Sequence, residues 1–410
     1  MTTRPPAALV VPLLVLSWLG ASAGRLSRHA GRADSVASAG ATHFALRVYD
    51  QLRAQPGNLV VSPPSLRLAL AMAYGGARGA TAAQLRDALD LGDGDAAHAE
   101  MADSASRWEA VATPTLARHP IVLAVANRLW VARDLPLEPD FLALVDDYYR
   151  ASITRLDFAD QAASTREINR WVDGQTQHMI TQLLDGDALD ERTPLVLTNA
   201  VYFAGDWAQP FDEARTQQTY FHAPDQDVTT QLMRQVGHFQ YTQFSGGQLL
   251  ELPYGDGEVV LDVLLPTQPE DLMELEDRLV AGALPRWLAL ASSTRVDVAL
   301  PRFTASQRVK MTPVLGALGM TLPFSADADF SGISRARPHL ADVVHQAVIA
   351  VHEKGTRAAA ATAVVMARPS AHREPPPVSF RADHPFVYAI RSRYGNDLLF
   401  LGRVVDPSVH

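Results

Sequence analysis

The chain has 410 residues, 47% of them hydrophobic and 20% charged, with a formal net charge of −9 and no cysteine. A net acidic chain does not fit a phosphate-binding surface, so nucleic acid is excluded as a partner. Without cysteine there can be no disulfide, thiolate metal site or cysteine nucleophile, and packing alone must hold the fold.

The first residues, MTTRPPAALVVPLLVLSWLGASAG, carry Arg4, an apolar stretch from Ala7 to Leu19 and the small-x-small site Ala21-Ser22-Ala23. This is the build of a signal peptide over residues 1–23, and its apolar run falls short of the ~20 residues that a membrane span needs. The expectation is a protein exported to the extracellular space or a periplasm, with no membrane partner. Residues 24–40, dominated by Ser, Gly, Ala and Arg, lack apolar periodicity and read as a flexible mature N-terminus. A single domain is expected over 41–410.

Within it, THFALRVYDQLRAQPGN spaces Phe44, Val48 and Leu52 four apart before a Pro-Gly stop, which predicts an amphipathic helix ending near Gln55. SPPSLRLALAMAYGGARGATAAQLRDAL reads as two helices divided by Gly75, Gly76 and Gly79. STREINRWVDGQTQHMITQLL sets Ile168, Trp171, Val172, Met179 and Leu183 on helical spacing and predicts one long amphipathic helix. The runs PLVLTNAVYFAGDW, GQLLELPYGDGEVVLDVLLP, RVDVALPRF, DVVHQAVIAVHE, HPFVYAIRS and DLLFLGRVVDP then read as strands. Tyr254-Gly255-Asp256-Gly257, between two apolar runs, signals a hairpin. Helices dominating the first half and strands the second favour an α+β fold over a βαβ repeat.

No Gly-x-Ser-x-Gly elbow, His-Glu-x-x-His pair, Walker loop or Rossmann glycine pattern occurs, and no enzymatic activity, metal or cofactor is expected. His345 and His352 stand seven apart in a strand-like run, so they point to opposite faces and read as separate structural histidines. The GDGD stretch from Gly92 to Asp95 and the acidic turn approaching Phe330 lack the later bidentate Glu of a calcium loop and read as surface turns.

One segment fits no ordinary element. GTRAAAATAVVMARPS runs from Gly355 to Ser370. As an isolated helix it is marginal at this length. As a strand it gathers Thr356, Ala358, Ala360, Thr362, Val364 and Met366 on one face, with no charge among them, and puts Arg357 on the other. Four consecutive alanines are a poor choice for a permanent strand. They suit a loop that later slides between two strands, with Gly355 as its hinge. Pro375, Pro376 and Pro377 keep the continuation out of helix and central strand.

Glu353-Lys354-Gly355-Thr356, followed by Ala358 to Ala361 and Thr362, resembles the reactive-centre-loop hinge of the serpin family. Asn58-x-x-x-Ser62-Pro63-x-Ser65 resembles the family's early helix start, and LTNAVYFAGDWAQPFD its central strand, with Asn199 and Trp207. ADVVHQAVIAVHEKGT, with His345, and the C-terminal FRADHPFVYAIR and LLFLGRVVDP resemble its later strands. The high alanine content beside a cleavable signal points to a bacterial exported member.

The resemblance implies a central, mostly antiparallel β-sheet with flanking helices, further small sheets and an exposed loop over about 355–379. It implies a monomer that a serine protease attacks as substrate, becoming trapped as an acyl-enzyme when the loop inserts into the sheet. Glu353, Gly355, Thr356, Ala358, Ala360 and Thr362 would form the hinge. Ser62, Ser65, Asn199, Trp207 and His345 would form the cluster that holds the sheet until it opens. Arg357 stands where the family is usually acidic, on the outward face. Counting seventeen residues from Glu353 reaches Pro369, a poor residue to cut after. Cleavage after Arg368 suits a trypsin-like protease, after Met366 or Ala367 an elastase-like or subtilisin-like one, and after Ser370 it lengthens the loop. Arg368 and Ala367 stand level. A non-inhibitory relative that binds a ligand or acts as a chaperone, and a plain substrate, remain the alternative readings. No Lys/Arg cluster on the early helices calls for a heparin-like activator.

Overall fold

In the computed structural model, which describes residues 30–112, 121–150, 153–186, 188–191, 193–356 and 375–409, these runs build two sheets with helices packed on them. The helices are α1 (Ala30–Arg53), α2 (Pro63–Gly76), α3 (Gly79–Ala88), α4 (Asp95–Ala112), α5 (Pro139–Leu144), α6 (Gln161–Gln175), α7 (Leu272–Val280), α8 (Leu284–Leu290) and α9 (Thr312–Ala317). The early strands are β1 (Leu59–Val61), β2 (Ile121–Ala132), β3 (Ile153–Leu156), β4 (Leu195–Gly205), β5 (Gln217–His222), β6 (Asp227–Phe244) and β7 (Gly247–Tyr254). The later ones are β8 (Val259–Pro266), β9 (Ser292–Pro301), β10 (Phe303–Lys310), β11 (Leu340–Val351), β12 (Val378–Arg381), β13 (Phe386–Ser392) and β14 (Leu398–Val404).

A five-stranded sheet has the order β10-β11-β4-β2-β3. Its β10–β11 and β2–β4 pairs are antiparallel, while β11–β4 and β2–β3 are parallel. A nine-stranded sheet has the order β1-β14-β13-β8-β7-β6-β9-β12, with β5 paired to β6.

β4 shows how the sequence sets the layers. All eleven of its residues are buried, as its unbroken apolar run requires of a central strand covered on both faces. Alternate residues go to different cores. Val196, Ala200 and Tyr202 pack with Ile168 and Val172 of α6. Leu197, Val201 and Phe203 join the main core, which includes Leu66 and Leu70 of α2 and Phe400 of β14. By the same alternation Asn199 lies on the main-core side, where Val343 and Ala347 of β11 place His345 as well.

Two expected boundaries move. α1 begins at Ala30, so the segment expected to be flexible is helical from there on. The long helix expected to reach Leu183 ends at Gln175. Thr176 Oγ1 donates to Val172 O at 2.8 Å and accepts from Ile180 N at 3.1 Å, diverting the ladder, and Gln177 and His178 take left-handed φ of 53° and 63°. Leu183 and Ile180 still reach the α6 core from the loop, which is why their spacing imitates a helix. The β7–β8 hairpin forms as expected, with Gly255 and Gly257 at φ 55° and 96°.

Candidate functional site

Four of the five expected cluster residues meet beneath the seam where β4 and β11 run parallel. Ser62 immediately precedes α2, Ser65 lies one turn in, and Asn199 and His345 stand opposite each other across the seam. All four are buried. Ser62 N donates to His345 Nε2 at 3.3 Å, so that nitrogen is the acceptor and the ring carries its proton on Nδ1. Nδ1–H then donates to Asn199 Oδ1. The Asn199 amide donates to Ser65 Oγ at 2.6 Å and to Asn127 Oδ1. Ser62 Oγ donates to Leu399 O at 2.8 Å.

Asn127, opposite Asn199 on the antiparallel β2, is the member that sequence reasoning missed. Its signal is a lone amide in the apolar run VLAVANRLWV, where Asn is disfavoured unless it is bonded.

These bonds latch β4, β11, β2 and α2 together in this structure, and no catalytic pair lies among them. Burial pushes the His345 imidazole down to about 3, so it is neutral at physiological pH. No hydrogen bond joins either serine hydroxyl to the imidazole, because Ser62 Oγ turns to a carbonyl and Ser65 Oγ is held by Asn199. A nucleophile–base pair needs that bond and access to a substrate, and His345 is 0% exposed.

Trp207, the fifth expected member, lies elsewhere. The end of β4 at Gly205 is six residues beyond Asn199, roughly 20 Å along an extended strand. There Trp207 stacks on Tyr254 with ring centroids 4.2 Å apart and 13° between planes. Its Nε1 donates to His352 O at 2.9 Å and its backbone N to Lys354 O at 2.8 Å. Trp207 therefore buttresses the hinge.

At the hinge the chain leaves β11 and folds back on itself: His352 and Gly355 exchange backbone hydrogen bonds of 2.8 and 3.1 Å. Gly355 has φ +144° and lies so close to β4 that a Cβ would stand 2.0 Å from Gly205 O, which requires glycine. Thr356, 0% exposed, donates from N to Gly205 O at 2.6 Å and from Oγ1 to the Tyr254 hydroxyl at 2.8 Å. Glu353 is clamped from the opposite side, where Arg302 Nε and Nη2 donate to its carboxylate at 2.6 to 2.8 Å and Thr216 Oγ1 donates to Oε1. Burial alone would raise the Glu353 carboxyl, but the Arg302 and Thr216 bonds hold it below the ordinary range.

His345 and His352 share no site, since the first lies in the latch and the second in the hinge turn. Among the described residues no group of three or more His, Asp or Glu could hold a metal ion. Gly92 to Asp95 is exposed, and Asp95 opens α4. The other expected hinge residues Ala358, Ala360 and Thr362, and the candidate cut sites Met366, Ala367, Arg368, Pro369 and Ser370, lie outside the described residues.

Residues 39–407 match the family described as Serpin (serine protease inhibitor). The match spans most of the chain, which therefore belongs to the serpin family. The chain is 36% identical to an uncharacterized serpin-like protein of Thermococcus kodakarensis, covering 89% of this chain and 84% of that one. It is 36% identical to Serpin B8 of Homo sapiens, over 91% of this chain and 100% of the relative. Among solved structures it is similar to Serpin48 of the insect Tenebrio molitor, with a TM-score of 0.81 and 30% identity over 93% of this chain and 100% of that one. It is likewise similar to uncleaved ovalbumin, with a TM-score of 0.79 and 29% identity over 90% and 99% of the two chains.

Proposed function

We propose that this serpin is an exported, monomeric suicide substrate of a serine protease. The protease serine attacks the carbonyl of the residue before the cut bond, the new amine leaves with the C-terminal fragment, and an acyl ester joins protease to inhibitor. The freed hinge segment then enters the sheet between β4 and β11 before water can hydrolyse that ester.

The observation that carries this reading is the place of Thr356. It is buried at the head of the only parallel seam that β11 makes, bonded to the last residue of β4, and the next ten residues offer an uncharged inward face of Ala, Thr, Val and Met. A strand entering there runs antiparallel to both neighbours. One slanted parallel ladder is replaced by two antiparallel ones, which supplies a driving force for insertion. The cut falls between Met366 and Ser370, with Arg368 and Ala367 standing level: trypsin-like in the first case, elastase-like or subtilisin-like in the second. Among the described residues no helix is long and apolar enough to cross a membrane; the leader-like residues 1–23 support export.

Mixing the mature protein with trypsin, elastase, chymotrypsin and subtilisin in turn, followed by denaturing gels and mass spectrometry, tests the proposal. A complex that survives denaturation, with a short C-terminal peptide released, is expected with at least one of them. Clean cleavage with the protease left active in every case would leave a substrate or a non-inhibitory relative.

A further inference from the structure

Tyr254 closes β7, and its ring is fixed by neighbours other than the hinge. Its backbone bridges Trp207, its ring stacks on the Trp207 indole with centroids 4.2 Å apart, and Phe203 lies edge-to-face with it at 5.1 Å and 70°. Gly205 leaves room for that ring, since a Cβ there would stand 3.2 Å from both Phe203 and Tyr254. A ring held in this way also places its hydroxyl, which meets Thr356 Oγ1 at 2.8 Å. Both residues are 0% exposed, and among the described residues Tyr254 Oη has no other hydrogen-bond partner. Burial pushes the phenol well up, so the pair consists of two neutral, buried hydroxyls that satisfy each other.

Thr356 also stands where a strand laid against β4 would begin. Asp206 and Gly355 form an antiparallel bridge, and Thr356 N donates to Gly205 O at 2.6 Å, as in a rung of an antiparallel ladder. Opposite residues in such a ladder share a face, and Gly205 shares its face of β4 with Val201 and Phe203 of the main core. The Tyr254 bond keeps the Thr356 side chain on that same face. A slip of one residue would turn the uncharged set away from the core and carry Arg357 toward it.

We infer that Tyr254 is a positioning residue, whose hydroxyl seats Thr356 as the first rung before any cut is made. The freed segment then extends an end that is already ordered and already in register. Without the seat the chain would first have to close onto β4, at a cost in conformational entropy, while water competes for the acyl ester. Loss of the seat therefore diverts the reaction from trapped complex to cleaved, released product. That diversion rests on the protease-trap reading above; the seat itself does not.

The test compares the full-length mature protein with Tyr254→Phe, Thr356→Val and the double variant, each used after its thermal transition shows it folded. Each single change leaves one buried hydroxyl without a partner, whereas the double change replaces both by apolar groups of nearly the same shape. In the absence of protease, hydrogen-exchange protection of the amide at position 356 is expected to fall at least five-fold in each single variant and to return to within two-fold of the wild type in the double. Additive losses in the double variant, or single variants protected as well as the wild type, would overturn the seat. With a protease that the wild type traps, each single variant should raise the ratio of cleaved to complexed inhibitor at least two-fold while its association rate stays within two-fold, and the double variant should restore the ratio. Lowered protection with an unchanged ratio would overturn the coupling to insertion. If the wild type traps no protease, the inhibitor reading fails, and the exchange measurement still decides the seat.

Discussion

His345 and Asn199 hydrogen-bond across the one seam of the five-stranded sheet where β11 and β4 run parallel, and the same asparagine reaches Ser65 on α2 and Asn127 on β2. Three elements are thus tied through one buried amide. A strand that enters between β4 and β11 has to break the His345–Asn199 bond first, so the latch contributes to the barrier as well as to stability.

Asn199→Ala should show this. It leaves His345 Nδ1–H and Ser65 Oγ without their partner in a dry environment, and Asn127 Oδ1 without it at a half-buried position, at a cost of about 2–4 kcal/mol in all. Urea denaturation should move to a lower midpoint, and hydrogen exchange should accelerate along β4 and β11 more than along β13 and β14.

The pH dependence follows from the tautomer. Folded His345 stays neutral until pH falls to about 3, whereas in the unfolded chain it takes a proton near 6.5. Between those values the unfolded state binds the extra proton, so the His345 contribution is complete above 6.5 and is lost as pH falls through the window. At pH 5 the loss is about 2 kcal/mol, at 1.36 kcal/mol per pH unit. Asp262 works the other way: burial raises its carboxyl from 3.8 to about 6 despite the Arg391 pairing, so it binds a proton first in the folded state and adds stability as pH falls from 6 to 3.8. Comparing the wild type with His345→Asn cancels that term. The stability gap between them should narrow by about 2 kcal/mol from pH 7 to pH 5, and a constant gap would refute the neutral, buried imidazole.

At the hinge, Glu353→Gln keeps the shape but removes the charge that Arg302 grips with two nitrogens. Charge-assisted bonds to a buried carboxylate are worth about 1.5–3 kcal/mol, so a loss near the lower end is expected, because Arg302 is 45% exposed and can turn to water. The readout is local: the Gly355 and Thr356 amides should exchange at least several-fold faster, with β8 and β13 unaffected.

Gly355→Ala separates the two forms of the hinge. In the uncut protein the new methyl would collide with Gly205 O, so the thermal midpoint should fall by several degrees, at roughly 2–4 °C per kcal/mol. Once the hinge is an extended strand the collision is gone, and the cut protein should melt as the wild-type cut protein does.

The parts of this site that were legible in the sequence are those whose chemistry repeats along the chain. The uncharged alternation after Gly355, the polar Asn199 and His345 in otherwise apolar strands, and the Ser-Pro-x-Ser helix start all carry a local pattern. What was not legible are the pairings between distant segments. Arg302 lies 51 residues from Glu353 and Thr216 137 residues away, and nothing near either of them announces the clamp. The resemblance groups Trp207 with Asn199, eight residues earlier, but the strand carries it to the other end of the sheet. The long helix was overdrawn for a related reason, since Ile180 and Leu183 fill the same core from a loop.

The most direct measurement is the thermal midpoint of the protein before and after a single cut within residues 357–374, with the fragments left together. Insertion between β4 and β11 exchanges one parallel ladder for two antiparallel ones, so the cut protein should melt higher by more than about 10 °C, and hydrogen exchange should show new protection from Thr356 onward. A cut protein that melts at or below the temperature of the intact one, with no new protection, would mean that the hinge does not enter the sheet, and the suicide mechanism would fall with it.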